Sequence, residues 1–250
     1  MAVEALAAVP AEGSDAGQMR FRDSRSGHVF VVGTPQTHGA LWQGFMDGAL
    51  AAYRRYDVEV ALEYDRVING RSTAMFIAGV DQAGRVVGGL RVQGPYSHAD
   101  EAHAVATEWR GHRGEHALRR MIADRSGGGV VELKAGWVAH DAEHRRAVRE
   151  AVARCIVHAT NLMGVRYGFL TADRDVAPQW AVSGGKPAWW IPSAPYPDER
   201  YRTVSLWWDM KGYRSLADVN QRHLMDVEHE ELARFRPIFQ AQRGPAEGSA

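Results

Sequence analysis

Glu132 is the side chain whose surroundings most invite a chemical reading. It stands in Val131-Glu132-Leu133, an acid between branched apolar neighbours. Burying a carboxylate is costly unless it is paired or put to use, so a functional role and an ion pair with Arg91 or Lys134 are the two explanations. Arg91 closes the run Arg85-Val86-Val87-Gly88-Gly89-Leu90-Arg91. It suits a ligand's carboxylate or carbonyl, or it pairs with Glu132 itself. Arg145, Arg146 and Arg149 crowd the start of a helical stretch. Free N–H groups and cations there attract phosphate, although the same arginines also fit a solvated helix face. His112 to His116 and His140 to His144 both match H-x-x-E-H, a zinc-hydrolase spacing that needs both histidines on one turn of a stable helix plus a third ligand. Gly114 interrupts the first copy, with Gly111 just before it, and the second falls in a turn, so no metal site is expected.

These groups need a scaffold, and residues 130–163 supply its centre. Residues 130–138 read as a strand after the breaker Ser126-Gly127-Gly128-Gly129. Val148, Ala151, Val152, Cys155, Ile156, Ala159 and Met163 then recur at helical spacing, and residues 167–172 form a second β-rich run. Such a β-α-β unit leaves a helix N-terminus beside a strand end. Cys155 lies on the apolar stripe and reads as core, and a lone cysteine excludes an internal disulfide.

Upstream, residues 28–33 read as a strand and residues 41–56 as a helix whose stripe is Trp42, Phe45, Met46, Ala49, Tyr53 and Tyr56. Residues 73–80 and 86–92 form a hairpin across Asp81-Gln-Ala-Gly-Arg85. Residues 97–129 are hard to decipher, with a helical fragment at 117–123. Downstream come a short helix at 176–183, a proline-rich loop at 186–200, a strand at 203–210 and a helix from Ser215 to about Phe239. That last helix is expected to pack through Leu216, Val219, Leu224, Val227, Leu232 and Phe235. Residues 1–25 and 241–250 are expected to be disordered and 26–240 to form one domain. Thirty basic residues balance thirty acidic ones, so no global field points to nucleic acid. No signal peptide or membrane span is evident, which suggests a cytoplasmic protein.

This order of elements resembles the GCN5-related N-acyltransferase (GNAT) fold. Within it, the chain is most similar to acyl-homoserine-lactone (autoinducer) synthases and N-acyl amino acid synthases. The similarity rests on Glu63-Tyr64-Asp65 after the first helix, on the 85–91 strand followed by Gly94-Pro95-Tyr96, and on Val131-Glu132-Leu133. Lys134 and Ala135 replace the Ser-Arg of the synthases, and the acyltransferase phosphate loop is degraded, with Arg149 at a glycine position. The resemblance implies a single-domain α/β fold, a mixed central sheet flanked by helices, whose fourth and fifth strands splay around the pantetheine arm of a thioester. Backbone groups of Gly136 to Val138 would hold the arm, and Arg145, Arg146 and Arg149 the phosphate. Glu132 would be the general base, with Arg91, Asp65 and Trp137 binding substrate. No permanently bound cofactor is implied; acyl-CoA or acyl-phosphopantetheine would be co-substrate, and a small-molecule amine the acceptor. The basic stretch Arg110, Arg113, Arg119, Arg120 and Arg125 would suit an acidic acyl carrier protein. Trp189, Trp190, Trp207 and Trp208 would line an acyl pocket or, more simply, pack. A non-catalytic acyl-binding module and an acetyl-CoA-dependent acetyltransferase are the alternatives.

Overall fold

The computed structural model describes residues 18–235. Its first half contains β1 (Arg20–Arg22), β2 (Val29–Gly33), α1 (Gly39–Arg54), α2 (Tyr64–Val67), β3 (Met75–Val80) and β4 (Val86–Gln93). Then follow a π-helical turn (Ala104–Glu108), α3 (Glu115–Ser126), β5 (Val130–Val138), α4 (Arg145–Leu162) and β6 (Tyr167–Asp173). The remainder is α5 (Ala177–Ala181), β7 (Lys186–Pro187), β8 (Thr203–Asp209), α6 (Tyr213–Leu216) and α7 (Val219–Ala233). The strands form one sheet in the order β1-β2-β3-β4-β5-β6-β8-β7. Among the described strands only β5 and β6 pair in parallel, as the α4 crossover between them requires.

Side chains alternate across β5 as a pleated strand dictates. Val131 and Leu133 face the core built on α4 and α7, while Val130 faces the packing beneath α3. Glu132 and Lys134 share the Val130 parity and so lie on the α3 side. The parallel ladder ends early, with Val130 to Leu133 pairing with Tyr167 to Leu170. Beyond it, Ala135 takes a left-handed conformation at φ 49°, and the register with β4 shifts between Gly89 and Arg91. This bulge turns the end of β5 away from β6, which is the splay the resemblance implied. A left-handed alanine is strained, so Ala135→Gly is expected to stabilise the fold by about 0.5–1 kcal/mol. A calorimetric Tm rise of about 1–3 °C would show it, and a fall would contradict it.

The expected elements recur with small shifts at their ends, and Cys155 is buried, where burial pushes its thiol well up. Two expectations change. Ordered structure begins before residue 26: Met19, Phe21 and Asp23 are all buried, and β1 pairs with β2. Residues 1–17 and 236–250, including the end of the predicted last helix and the 241–250 tail, lie outside the described residues. The expected apolar stripe of the last helix holds only in part: Leu232 is buried and Phe235 packs on the core, but Leu216, Val219 and Val227 are exposed. The chain breaks between α6 and α7, and α7 instead buries Gln221, Met225, Glu228 and Leu232.

That half-polar face meets a fully buried arginine on α4. Arg154 donates from Nε to both Glu228 oxygens at 3.0 and 2.9 Å, from Nη1 to Gln221 at 2.7 Å and from Nη2 to Asp23 at 2.7 Å. His158 Nε2 lies 2.7 Å from Glu228. The network ties the N-terminal segment, α4 and α7 together. An apolar-periodicity reading cannot see it, because its members are polar.

Candidate active site

The departure of β5 from β6 opens a cleft of about 490 Å³. Leu133 to Val138 form one wall, with Arg145 and Arg149 from α4. Leu170 to Asp173 form the other, with Gln179 and Trp180 at α5. Tyr53 from α1, together with Tyr196 and Tyr201, completes the lining. The loop before β8 also crosses to the end of α1, where Arg200 Nη2 donates to the Asp57 carbonyl at 2.9 Å. Trp137 packs closely on α1 because Gly48 carries no side chain; a Cβ there would lie 2.1 Å from the indole.

Several expected residues gather here. Gly136, Val138, Arg145, Arg149 and Trp137 all line the cleft. The first turn of α4 contains no acid and no side-chain cap, so its N–H groups and the two arginines favour an anion. The buried Nε of Arg145 has no hydrogen-bond partner. Arg146 does not join them; it is exposed and pairs with Glu150 at 3.2 Å. Asp65 is exposed and outside the lining, and from the same segment it is Glu63 that reaches inward. None of Trp189, Trp190, Trp207 and Trp208 lines the cleft. Trp207 and Trp208 are buried, whereas Trp189 and Trp190 are 56% and 61% exposed.

Glu132 lies behind the cleft wall, fully buried. Its Oε2 accepts from the Tyr96 hydroxyl at 2.7 Å and the His103 N–H at 2.9 Å, and its Oε1 from the Ala104 N–H at 3.1 Å. The Lys134 ammonium stands 3.5 Å from Oε1. A carboxylate offers about four lone-pair sites, and these donors occupy them. Glu132 therefore anchors the turn at residues 103–104, and its surroundings do not support the expected role of base.

That turn carries Glu108 into the cleft. The π-helical winding, with Trp109 N–H donating to the Ala104 carbonyl at 2.8 Å, sets its direction. Glu108 Oε1 forms a tight ion pair with Lys134 and lies 3.2 Å from His103 Nδ1. Its Oε2 is buried with no partner. Burial pushes this carboxyl up, but the Lys134 ammonium and His103 outweigh that and hold it at about 2. Burial would push Lys134 down, but Glu108 and Glu132 hold its ammonium above the usual lysine range. Burial and the nearby Glu108 push the Tyr196 phenol up.

Among the described residues, His103, Glu108 and Glu132 are the one group of His, Cys, Asp or Glu whose ligand atoms converge closely enough to hold a metal ion. The cation among them is the Lys134 ammonium, which touches Glu108 and lies 3.1 Å from His103 Nδ1. Neither H-x-x-E-H segment gathers into such a group; His112, His116, His140 and His144 are exposed.

Arg91 is buried on β4 and burial lowers its pKa. Its Nη1 makes only long contacts of 3.4 to 3.5 Å with Ser72, Thr73 and Gln93, and its Nε has no partner. Arg91 lies outside the cleft lining, where the charge of the buried Glu132 partly offsets that lowering. In the 110–125 stretch, Arg119 pairs with Asp100 and Glu115, and Arg125 stacks over Tyr167 and Trp207. Arg120 faces Asp124 at 3.9 Å.

No protein-family model matches the chain. The uncharacterized protein Rv1356c of Mycobacterium tuberculosis (strain ATCC 25618 / H37Rv) is 43% identical over 204 residues, covering 82% of this chain and 77% of that protein. The uncharacterized protein Mb1391c of Mycobacterium bovis (strain ATCC BAA-935 / AF2122/97) matches to the same extent. The chain belongs to the family of these mycobacterial proteins. Among solved structures, FeeM, an N-acyl amino acid synthase from uncultured soil microbes, is similar with a TM-score of 0.51 at 11% identity, covering 78% of this chain and 98% of that one. The acyl-homoserine lactone synthase BjaI gives a TM-score of 0.49 at 15% identity, covering 83% and 90%. The fold is that of the GNAT superfamily, with one mixed sheet flanked by helices. Among the described residues no helix is long and apolar enough to cross a membrane.

Proposed function

We propose that this member of the mycobacterial family is an N-acyltransferase, moving an acyl group from a thioester to the amine of a small molecule. The observation that carries the reading is the cleft between β5 and β6, with anion-attracting arginines on one wall and a buried carboxylate with a free oxygen also in its lining. Such a layout fits a phosphate-bearing thioester and a cationic amine brought together, which removes much of the entropic barrier to attack. FeeM, an N-acyl amino acid synthase on this fold, supports the chemistry by analogy.

In this reading the donor lies along the unpaired edge of β5 from Gly136 to Val138, its phosphates near Arg145, Arg149 and the α4 N-terminus. Glu108 Oε2 receives the acceptor's ammonium and then its proton, as a positioned base does. Acyl-CoA is preferred over an acyl carrier protein, since most of the 110–125 arginines are engaged within the chain and the cleft arginines are not. Arg149 at a glycine position of the phosphate loop favours a second reading, acyl-ligand binding without turnover.

Steady-state kinetics with paired donors tests this. Arg145→Ala and Arg149→Ala should each raise the KM for acyl-CoA about tenfold, the weight of a charge-assisted phosphate contact. The KM for acyl-pantetheine, which lacks the nucleotide phosphates, should not move. Equal effects on both donors would remove the arginines from phosphate recognition, and saturable acyl-CoA binding without any turnover would favour the second reading.

A further inference from the structure

Glu108 is a poor place for a proton to stay. The Lys134 ammonium holds the carboxyl low, so a proton taken from the acceptor is readily passed on. A path for it is in place. His103 Nδ1 lies 3.2 Å from Glu108 Oε1, and on the other side of the ring Nε2 lies 3.2 Å from Glu63 Oε2. The imidazole is nearly enclosed, whereas the Glu63 side chain is 20% exposed and so reaches water. A chain of three side chains therefore runs from the cleft, through a buried ring, to solvent behind α1.

We propose that His103 and Glu63 are proton-relay residues, carrying the acceptor's proton from Glu108 out of the site. The inference rests on the acyl-transfer reading. As the amine nitrogen bonds to the thioester carbonyl carbon and the C–S bond breaks, the nitrogen loses its proton to Glu108 Oε2. The carboxyl rotates to bring the oxygen that carries this proton against His103 Nδ1, which takes it as Nε2 gives its own proton to Glu63; Glu63 exchanges with water, and a flip of the ring restores the starting tautomer. The thiolate leaves and is protonated by solvent, so no further reactant is needed. The receptive ring carries its proton on Nε2 and has Nδ1 open. The Lys134 ammonium, 3.1 Å from Nδ1, holds that tautomer by donating to it at rest, and turns to Glu108 and Glu132 alone as the proton arrives.

Every charged or titratable neighbour of the ring fits this direction of flow. Lys134 and Glu108 face it from β5 and the π-helical turn, and Glu63 faces it from the segment before α2. The Tyr196 ring stands edge-on at 6.5 Å, and Glu132 holds the backbone N–H of His103 rather than its ring. Arg66, paired with Glu63 Oε1 at 2.8 Å, leaves Oε2 to the histidine.

The test compares wild type, Glu63→Gln, His103→Gln and the double variant, reading kcat, both KM values and the solvent isotope effect in an acyl-transfer assay with an amine panel. A serial relay predicts that each single change lowers kcat at least about tenfold with KM unchanged. It also predicts that the double variant is no slower than His103→Gln alone, because one break already stops the wire. Glu63 touches neither donor nor acceptor and is part-exposed, so its variant tests the relay even if His103→Gln fails to fold. Wild-type kcat in Glu63→Gln, or additive losses in the double variant, would overturn the relay while the transferase reading stands. A wild-type protein inert toward every amine would overturn both.

Discussion

Glu108→Gln is expected to lower acyl-transfer turnover by about 10²–10⁴-fold, the usual weight of a positioned base, with the KM for acyl-CoA unchanged. Glutamine keeps the size and one acceptor oxygen but cannot take the proton. The Lys134 ammonium would still have Glu132 at 3.5 Å and His103 at 3.1 Å, so the cluster retains a counter-charge. A pH experiment separates chemistry from folding. The Glu108 carboxyl drops from an ordinary value of 4.5 to about 2 on folding. A lowered acid stabilises the fold above its unfolded value and loses that contribution as pH falls through the folded one. Wild type should therefore lose this stability between about pH 4.5 and 2, and Glu108→Gln should lose less across that window while remaining inactive at neutral pH. Glu132→Gln should behave in the opposite way, lowering Tm through the buried contacts of its carboxylate and retaining measurable turnover.

Arg154→Ala is expected to be the most damaging structural substitution, costing about 3–5 kcal/mol, because it leaves Glu228 and Asp23 buried without their counter-charge. For a chain of this size that lowers Tm by roughly 6–20 °C. The cleft lies on other residues, so surviving folded protein should keep its donor KM. The same network predicts acid sensitivity. Burial pushes Glu228 up, but His158 and Arg154 more than offset it and hold the carboxyl below its usual range. Burial and the neighbouring His158 hold His229 at about 4. Both folded pKa values lie below the unfolded ones, so both stabilising contributions are present at neutral pH and are lost on acidification. The His229 contribution goes first, as pH falls below 6.5 toward about 4. Urea melts at neutral and acidic pH would check this; acid-independent stability would contradict it.

The scaffold was legible because its signals are local. The glycine breaker before Val130, the 3.6-residue stripe from Val148 to Met163 and the Asp81 to Arg85 turn each determine an element without distant partners. The cleft arginines followed from their place at a helix start. Glu132 stands out in the sequence for a sound reason, an acid in an apolar strand, but sequence alone does not tell a used carboxylate from a satisfied one. Glu108, between Thr107 and Trp109, carries no such signal and is hidden by the irregular 97–129 stretch, whose π-helical turn has no periodic signature. His103 and Glu63 meet only in three dimensions, across 40 positions. The buried face of α7 was missed because two of its four contacts are polar, Gln221 and Glu228, and answer an arginine on another helix.

The most direct measurement follows free thiol and amide product together when the purified protein is given acyl-CoA and a panel of small amines, amino acids included. Transfer within this cleft predicts that thiol and amide appear in equal amounts, only when an amine is present, and that both disappear in Glu108→Gln. Thiol release without amide would show hydrolysis, and amide formation undiminished in Glu108→Gln would contradict the assignment of this cleft as the site of acyl transfer.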